Sequence, residues 1–458
     1  MENENLEFKS YMALCPLDGR YLDISKKLSP YFSEYALAKN RVKVEVYWLK
    51  FLIENINTSN ILNSVSEEDI NKILKIYEDF SEASYLKIRQ IDKVTNHDVK
   101  AVELFVGEEL KKIGLERLVS FVHIGCTSED INNTSYGNMI KEGLNDVWIK
   151  TAENLIDVIS KLAKENANIP MLAHTHGQPA TPTTVGKEFK VYEYRLKKSL
   201  ENIKNIKITA KFNGATGTYA AISVAFPEYD WVDLSKKFIE EYLELEFNPL
   251  TTQIEGHDYI AHIADGIRHF NNIVLDFDVD MWLYISMEYF KQIPVKTEVG
   301  SSTMPHKVNP IRFENSEANI DMSNAIFMAI SNKLVKSRMQ RDLSDSSSKR
   351  NIGLAFGYSI QAINQTISAL KRIEVNKQKL SSELENKWEV LAEPIQTALR
   401  KYGVPDAYNK LKELTRGKNI SKEAIQEFVN SLDILSNEDK KILLDLTPEK
   451  YIGLAERI

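Results

Sequence analysis

Long helices, rather than strands, are what this chain is built to make. Apolar residues recur at three-to-four spacing over long stretches, while Gly and Pro number only 18 and 13 in 458 residues. Phe189, Tyr192, Leu196, Leu200, Ile203 and Ile206 share one helix face. That helix is expected to begin near Pro182, with Thr181 as N-cap and Pro182 at the first helical position. A second pattern runs from about Tyr259 to Phe290 and is apolar almost all round from Ile273 to Tyr289, which predicts burial among other helices. A third spans about Phe313 to Val335 and a fourth about Ile352 to Ile373. Helices of this length joined by loops predict an all-α protein around a central long-helix bundle.

Three domains are expected: a helical N-terminal region over 1–115, the long-helix bundle over 116–372, and shorter helices over 373–458 with turns near Gly403-Val404-Pro405 and Gly417-Lys418. The formal charge of −7 argues against wrapping nucleic acid or coating an anionic membrane, so an anionic substrate needs a local cationic pocket. Two cysteines, Cys15 and Cys126, do not make a disulfide framework. The acidic, polar start lacks a basic and apolar leader pattern, and no run is apolar enough to span a bilayer. The expectation is a cytoplasmic protein.

One loop concentrates chemistry. Gly300-Ser301-Ser302-Thr303-Met304-Pro305-His306-Lys307-Val308-Asn309-Pro310 holds three hydroxyls, a His and a Lys between two helical patterns. Gly300 frees backbone N–H groups to converge on an anion, and Lys307 can stabilise a developing oxyanion. A solvated Ser/Pro turn is the plain alternative. Asp18-Gly19-Arg20-Tyr21 is a turn whose guanidinium can fork onto a phosphate or carboxylate. In Thr95-Asn96-His97-Asp98, Thr95 suits an N-cap, which places Asn96, His97 and Asp98 in a first helical turn that favours anions.

Cys126-Thr127-Ser128-Glu129-Asp130-Ile131-Asn132-Asn133 is another helix start, with hydroxyls able to bind a carboxylate or merely to cap. His174-Thr175-His176-Gly177-Gln178-Pro179 sets two imidazoles in a loop, open to acid catalysis, to metal ligation or to neither. No nearby Cys and no HExxH pattern completes a metal set. Gln253, in Thr251-Thr252-Gln253-Ile254-Glu255-Gly256-His257-Asp258, offers an amide for recognition. The run Ser337 to Arg350, with Arg341, Ser346, Ser347, Ser348, Lys349 and Arg350, has the composition of a phosphate cradle or of a solvated connection.

Taken together, these motifs resemble the fumarase/aspartase superfamily, which breaks C–N or C–O bonds by β-elimination and releases fumarate. Within it the chain is similar to the bacterial branch of the adenylosuccinate lyase family. The likeness extends through Asn386-Lys387-Trp388-Glu389-Val390-Leu391-Ala392-Glu393-Pro394-Ile395-Gln396 and Tyr451-Ile452-Gly453. The resemblance implies a three-domain fold whose bundle assembles into a homotetrameric core, with active sites shared between subunits. It implies His176 as the acid that protonates the departing nitrogen and Ser301 as the base that removes the Cβ proton. It also implies substrate binding by Arg20, Tyr21, Asn96, His97, Asp98, Thr127, Ser128, Gln253, Lys307, Asn309, Asn315, Arg341, Ser346, Ser347, Ser348, Lys349 and Arg350.

The implied substrates are adenylosuccinate, giving AMP, and succinylaminoimidazole carboxamide ribotide, giving the carboxamide ribotide. No cofactor or metal is implied. The resemblance implies Arg at the position that His174 occupies in this chain. The alternatives are another fumarate-releasing lyase of the superfamily, such as argininosuccinate lyase, aspartase or fumarase, or an inactive structural homologue.

Overall fold

The computed structural model describes residues 9–294, 304, 306–415 and 420–457. The helices that matter for the site are α1 (Glu34–Asn55), α2 (Glu82–Thr95), α3 (Asp98–Lys112), α4 (Ser128–Gly143), α5 (Lys150–Glu165), α6 (Val185–Lys204), α7 (Asp258–Ser286), α8 (Ile311–Leu334), α9 (Ser344–Lys349) and α10 (Ile352–Leu370). Among the described residues, sheet is confined to four two-stranded pairings. The long helices lie where the apolar periodicity places them. No helix among the described residues is long and apolar enough to cross a membrane.

Two compact units divide the chain. One comprises Met1–Ala152, Ser199–Asn272 and Ala318–Ala362; the other comprises Glu153–Lys198, Ile273–Glu317 and Ile363–Ile458. In the first, α1 is buried along much of its length, and its Trp48 ring lies 4.6 Å from Phe212 and 5.0 Å from Phe238 between centroids. Each such ring brings a large apolar area out of water, so this aromatic cluster anchors the core.

Helix α4 is unusual because its buried positions include Asn132, Asn133, Thr134, Ser135 and Asn138. Burial without partners would be costly. Asn133 therefore donates to the Lys211 carbonyl at 3.0 Å and accepts from the Lys211 N–H at 2.9 Å, while Thr134 donates back to the Asp130 carbonyl at 2.7 Å. In the same unit, Trp148 donates its indole N–H to Ser359 at 2.9 Å, and Ser359 donates to Asn271 at 2.8 Å. Asn271 donates to Ser323 at 3.2 Å, so this polar thread joins side chains of α7, α8 and α10.

In the second unit, Asp278 is buried and accepts from Thr366 at 2.9 Å. Burial pushes its carboxyl well above the usual range, against the hydrogen bonds from Ser316 and Thr366. A separate apolar cluster built on Leu391, Ile395, Leu399, Leu411, Ile425 and Val429 gathers the shorter helices near the C-terminus.

Two local expectations need correction. Helix α6 begins at Val185, not near Pro182, because Thr183 and Thr184 pair as a short strand with Pro170 and Met171. Thr184, rather than Thr181, caps it, accepting from the Lys187 N–H at 3.1 Å. Thr95 is likewise the last residue of α2, not an N-cap. Asn96 ends that helix in the left-handed region, at φ 50°, and His97 caps α3 by accepting from the Lys100 N–H at 3.1 Å. Asn tolerates this backbone better than most residues, so one Asn separates two helices without Gly or Pro.

Candidate active site

In the first unit an open cavity of about 380 Å³ collects several of the expected residues. It is lined by Asn96, His97, Asp98, Ser128, Arg341, Ser346 and Arg350, together with Glu34, Arg89, Asp92, Val99, Asn132 and Leu343. The kink between α2 and α3 supplies the first three. The start of α4 supplies Ser128, where the Thr127 N–H donates to Asp130 at 2.7 Å and fixes the helix entrance. The connection before α9 brings Arg341, and α9 itself brings Ser346.

The cavity's cations are held by carboxylates. Arg350 donates to Glu34 at 2.8 Å, to Asp98 at 3.2 Å and to the Ser346 hydroxyl at 2.8 Å. Buried Arg41 approaches Asp98 at 2.9 Å and donates to Asn132 at 2.9 Å. Burial alone would raise the Asp98 carboxyl, but Arg41, the Val99 N–H and Arg350 hold it below the usual range. Because His97 Nδ1 accepts a hydrogen bond, its neutral ring carries the proton on Nε2.

Arg341 donates to Gln253 at 3.2 Å and to Glu129 at 2.9 Å. Glu129 is buried, which would raise its pKa, yet Lys349, Arg341 and the Asn132 amide bring it down to about 2. Beneath it, Glu129, His257 and Asp345 lie close enough to hold a metal ion. The Lys349 ammonium already sits among them, 2.7 Å from Asp345, 3.4 Å from Glu129 and 3.5 Å from His257 Nε2. An ammonium there supplies the positive charge these groups require.

Arg20, Tyr21, Thr127, Gln253, Ser347, Ser348 and Lys349 belong to the same unit without lining the cavity. Arg20 is exposed, and Lys349 is sealed from solvent rather than open to a ligand. Sequence reasoning missed Arg41, Glu129, His257 and Asp345, whose polar character signals surface unless their burial is known.

In the second unit, His176 and Gly177 form the two-residue turn of a hairpin pairing His174–Thr175 with Gln178–Pro179. Both turn residues have positive φ, 55° and 70°. This is the backbone that a tight hairpin demands, and Gly177 adopts it without steric cost. His176 is exposed at the tip. His174 is half-buried, its Nε2 4.0 Å from Glu383 and its ring 6.2 Å from Tyr289. The two imidazoles therefore live in different surroundings.

Lys307, Asn309 and Asn315 also belong to this unit; Lys307 is exposed, and Asn315 is the fifth residue of α8. Gly300, Ser301, Ser302, Thr303 and Pro305 lie outside the described residues, and with them the expected base.

Comparison with known proteins places these features in context. A family model described as Lyase matches residues 19–323, and one described as Adenylosuccinate lyase C-terminal matches residues 337–452. The chain is 46% identical to the adenylosuccinate lyase of Vibrio cholerae over 98% of each chain. It is 46% identical to that of Haemophilus influenzae and 45% identical to that of Escherichia coli K12, again over 98% of each chain. Its fold is similar to 3-carboxy-cis,cis-muconate lactonizing enzyme from Pseudomonas putida, with a TM-score of 0.71, 18% identity and 94% of each chain covered. It is also similar to a fumarate lyase from Mesorhizobium sp. BNC1, with a TM-score of 0.74, 17% identity, and 94% of this chain and 96% of that one covered.

Proposed function

Because this chain belongs to the adenylosuccinate lyase family of the fumarase/aspartase superfamily, we propose that it eliminates fumarate from succinylated purine-pathway nucleotides. It is a carbon–nitrogen lyase. Adenylosuccinate gives AMP, and succinylaminoimidazole carboxamide ribotide gives the carboxamide ribotide. The observation that carries this reading is the cavity wall where Arg341, Arg350 and His97 stand beside the Ser128 and Ser346 hydroxyls. Guanidiniums with hydroxyls are the chemistry of phosphate recognition. A phosphate dianion can compete with the carboxylates that now hold these cations. Fumarase, aspartase and argininosuccinate lyase act on substrates without a phosphate, so this wall favours the nucleotide substrates.

Removing a proton from the carbon beside a carboxylate builds negative charge on that carboxylate, and fixed cations and N–H donors must meet it. In our reading Lys307, Asn309 and the loop opened by Gly300 do this while Ser301 takes the proton. His176 protonates the leaving nitrogen. An exposed imidazole at a hairpin tip supports that role, since it is open to a ligand, whereas His174 is half-buried beside Glu383. Acid or base groups of this kind typically contribute ~10²–10⁴-fold. The reaction so written needs no metal. We further place the enzyme in the cytoplasm as a homotetramer with each active site assembled from several subunits.

The test is turnover. The purified protein is incubated with adenylosuccinate and the purine absorbance is followed as AMP forms. Turnover of argininosuccinate or malate instead, with adenylosuccinate untouched, would remove this reading.

A further inference from the structure

Behind the cavity wall lies a charged cluster that no step above uses. Lys349 is only 2% exposed, and its ammonium lies 5.2 Å from the centroid of the buried Tyr136 ring as well as against Asp345 and Glu129. It is the last residue of α9, so its place follows from the fold of the segment that also carries Ser346. The Glu129 carboxylate is shared: one oxygen faces Lys349, while the other accepts from Arg341 at 2.9 Å and from Asn132 at 2.8 Å. Arg341 and Asn132 are cavity-lining residues.

Two carboxylates, Glu129 and Asp345, are thus balanced by two cations, Lys349 and Arg341. His257 stays neutral between them: burial, with Lys349 beside it, lowers its pKa to about 4. Buried charge cannot be rebalanced by water, so removing one member must change how the others behave.

We propose that Lys349 is a positioning residue that acts through Glu129, setting the charge of the wall behind the cavity and hence how firmly Arg341 grips the phosphate of the substrate. This rests on the cavity being the phosphate site. With Lys349 present, Glu129 divides its charge between two cations, and Arg341 keeps attraction to spare for an incoming anion. Without it, two carboxylates face one guanidinium, Glu129 turns wholly to Arg341, and an uncompensated negative charge lies behind the phosphate. The amine never touches substrate, so binding should respond and the chemical step should not.

The experiment compares wild-type enzyme with Lys349→Met, Asp345→Asn and the double variant at about pH 8, where a His stays neutral. Steady-state kinetics with adenylosuccinate and calorimetric binding of inorganic phosphate are both read. For Lys349→Met, KM is expected to rise on the order of tenfold with kcat within about twofold, as for one unpaired charge a few ångströms away. Adding Asp345→Asn removes the uncompensated charge but not the undivided pull of Glu129 on Arg341, so KM should return part of the way, to about threefold below the Lys349→Met value. Asp345→Asn alone should tighten phosphate binding. An unchanged KM in Lys349→Met, a double variant no better than the single, or weaker phosphate binding in Asp345→Asn overturns the proposal. If Lys349→Met fails to fold, the double variant and Asp345→Asn decide it. Wild-type turnover tests the activity separately, and phosphate binding reads the charge relation even where adenylosuccinate is not consumed.

Discussion

The Lys211 ammonium lies 2.9 Å from the Asp130 carboxylate with both side chains fully out of contact with solvent. Asp130 also accepts from the Asn213 N–H at 3.0 Å, and Lys211 donates to the Gly214 carbonyl at 2.9 Å. One ion pair therefore ties the start of α4 to residues 211–214. Breaking it leaves a buried charge without a counterion. Lys211→Met is expected to destabilise the fold by about 3–5 kcal/mol, and adding Asp130→Asn should recover part of that loss. Urea unfolding of the two variants measures both.

Acid should destabilise the protein over two pH windows. His257 has its pKa lowered to about 4 by burial and Lys349, against 6.5 when unfolded, so the unfolded chain binds the extra proton first. Its contribution to stability is lost as pH falls from 6.5 towards 4. Glu129, whose carboxyl is drawn down to about 2 from 4.5, contributes stability that is lost as pH falls from 4.5 towards 2. Melting temperature followed against pH should show both limbs. His257→Asn should flatten the upper one and Glu129→Gln the lower; a variant that leaves its limb unchanged refutes the assignment.

His176→Asn separates the acid from the turn. Asn is favoured where a hairpin needs positive φ, so stability should hold or rise by a few tenths of a kcal/mol. An amide has no proton to give, so kcat should fall by ~10²–10⁴-fold. Ser301→Ala should lose turnover as well. Mixing the two inactive variants should regain activity if each site draws its acid and base from different subunits. A stable His176→Asn enzyme with near-normal kcat would return the acid role to His174.

Gly186 leaves no room for a side chain. A Cβ there would lie 2.4 Å from the Ala163 carbonyl oxygen and 2.4 Å from the Ala167 Cα. Backbone cannot yield as a flexible side chain does, and the Gly186 N–H already donates to Asn166 at 2.9 Å. Gly186→Ala is expected to cost at least about 1–3 kcal/mol, read as a lower melting temperature.

The sequence discloses what repeats and hides what depends on burial. The long helices are legible because their apolar faces return every three to four residues. The boundary at Asn96 is not, since the chain reverses its helical course there on a single left-handed residue with no Gly or Pro to mark it. The hairpin under His176 escapes notice because its strands are two residues each, too short for an alternating pattern. For the site, the cavity's Asn96, His97, Asp98, Ser128, Arg341, Ser346 and Arg350 stand out as polar clusters near helix ends. Glu129 and His257 look from the sequence like ordinary capping residues. Only three-dimensional packing makes Glu129 a shared counterion and Lys349 its buried partner.

The indole proton of Trp148 offers a clock for the breathing of the interior. It is locked onto Ser359, which in turn holds Asn271, and the ring itself is completely enclosed. Solvent can reach that hydrogen only when the helices around it part, so its exchange with deuterium reports the rarest openings of this unit.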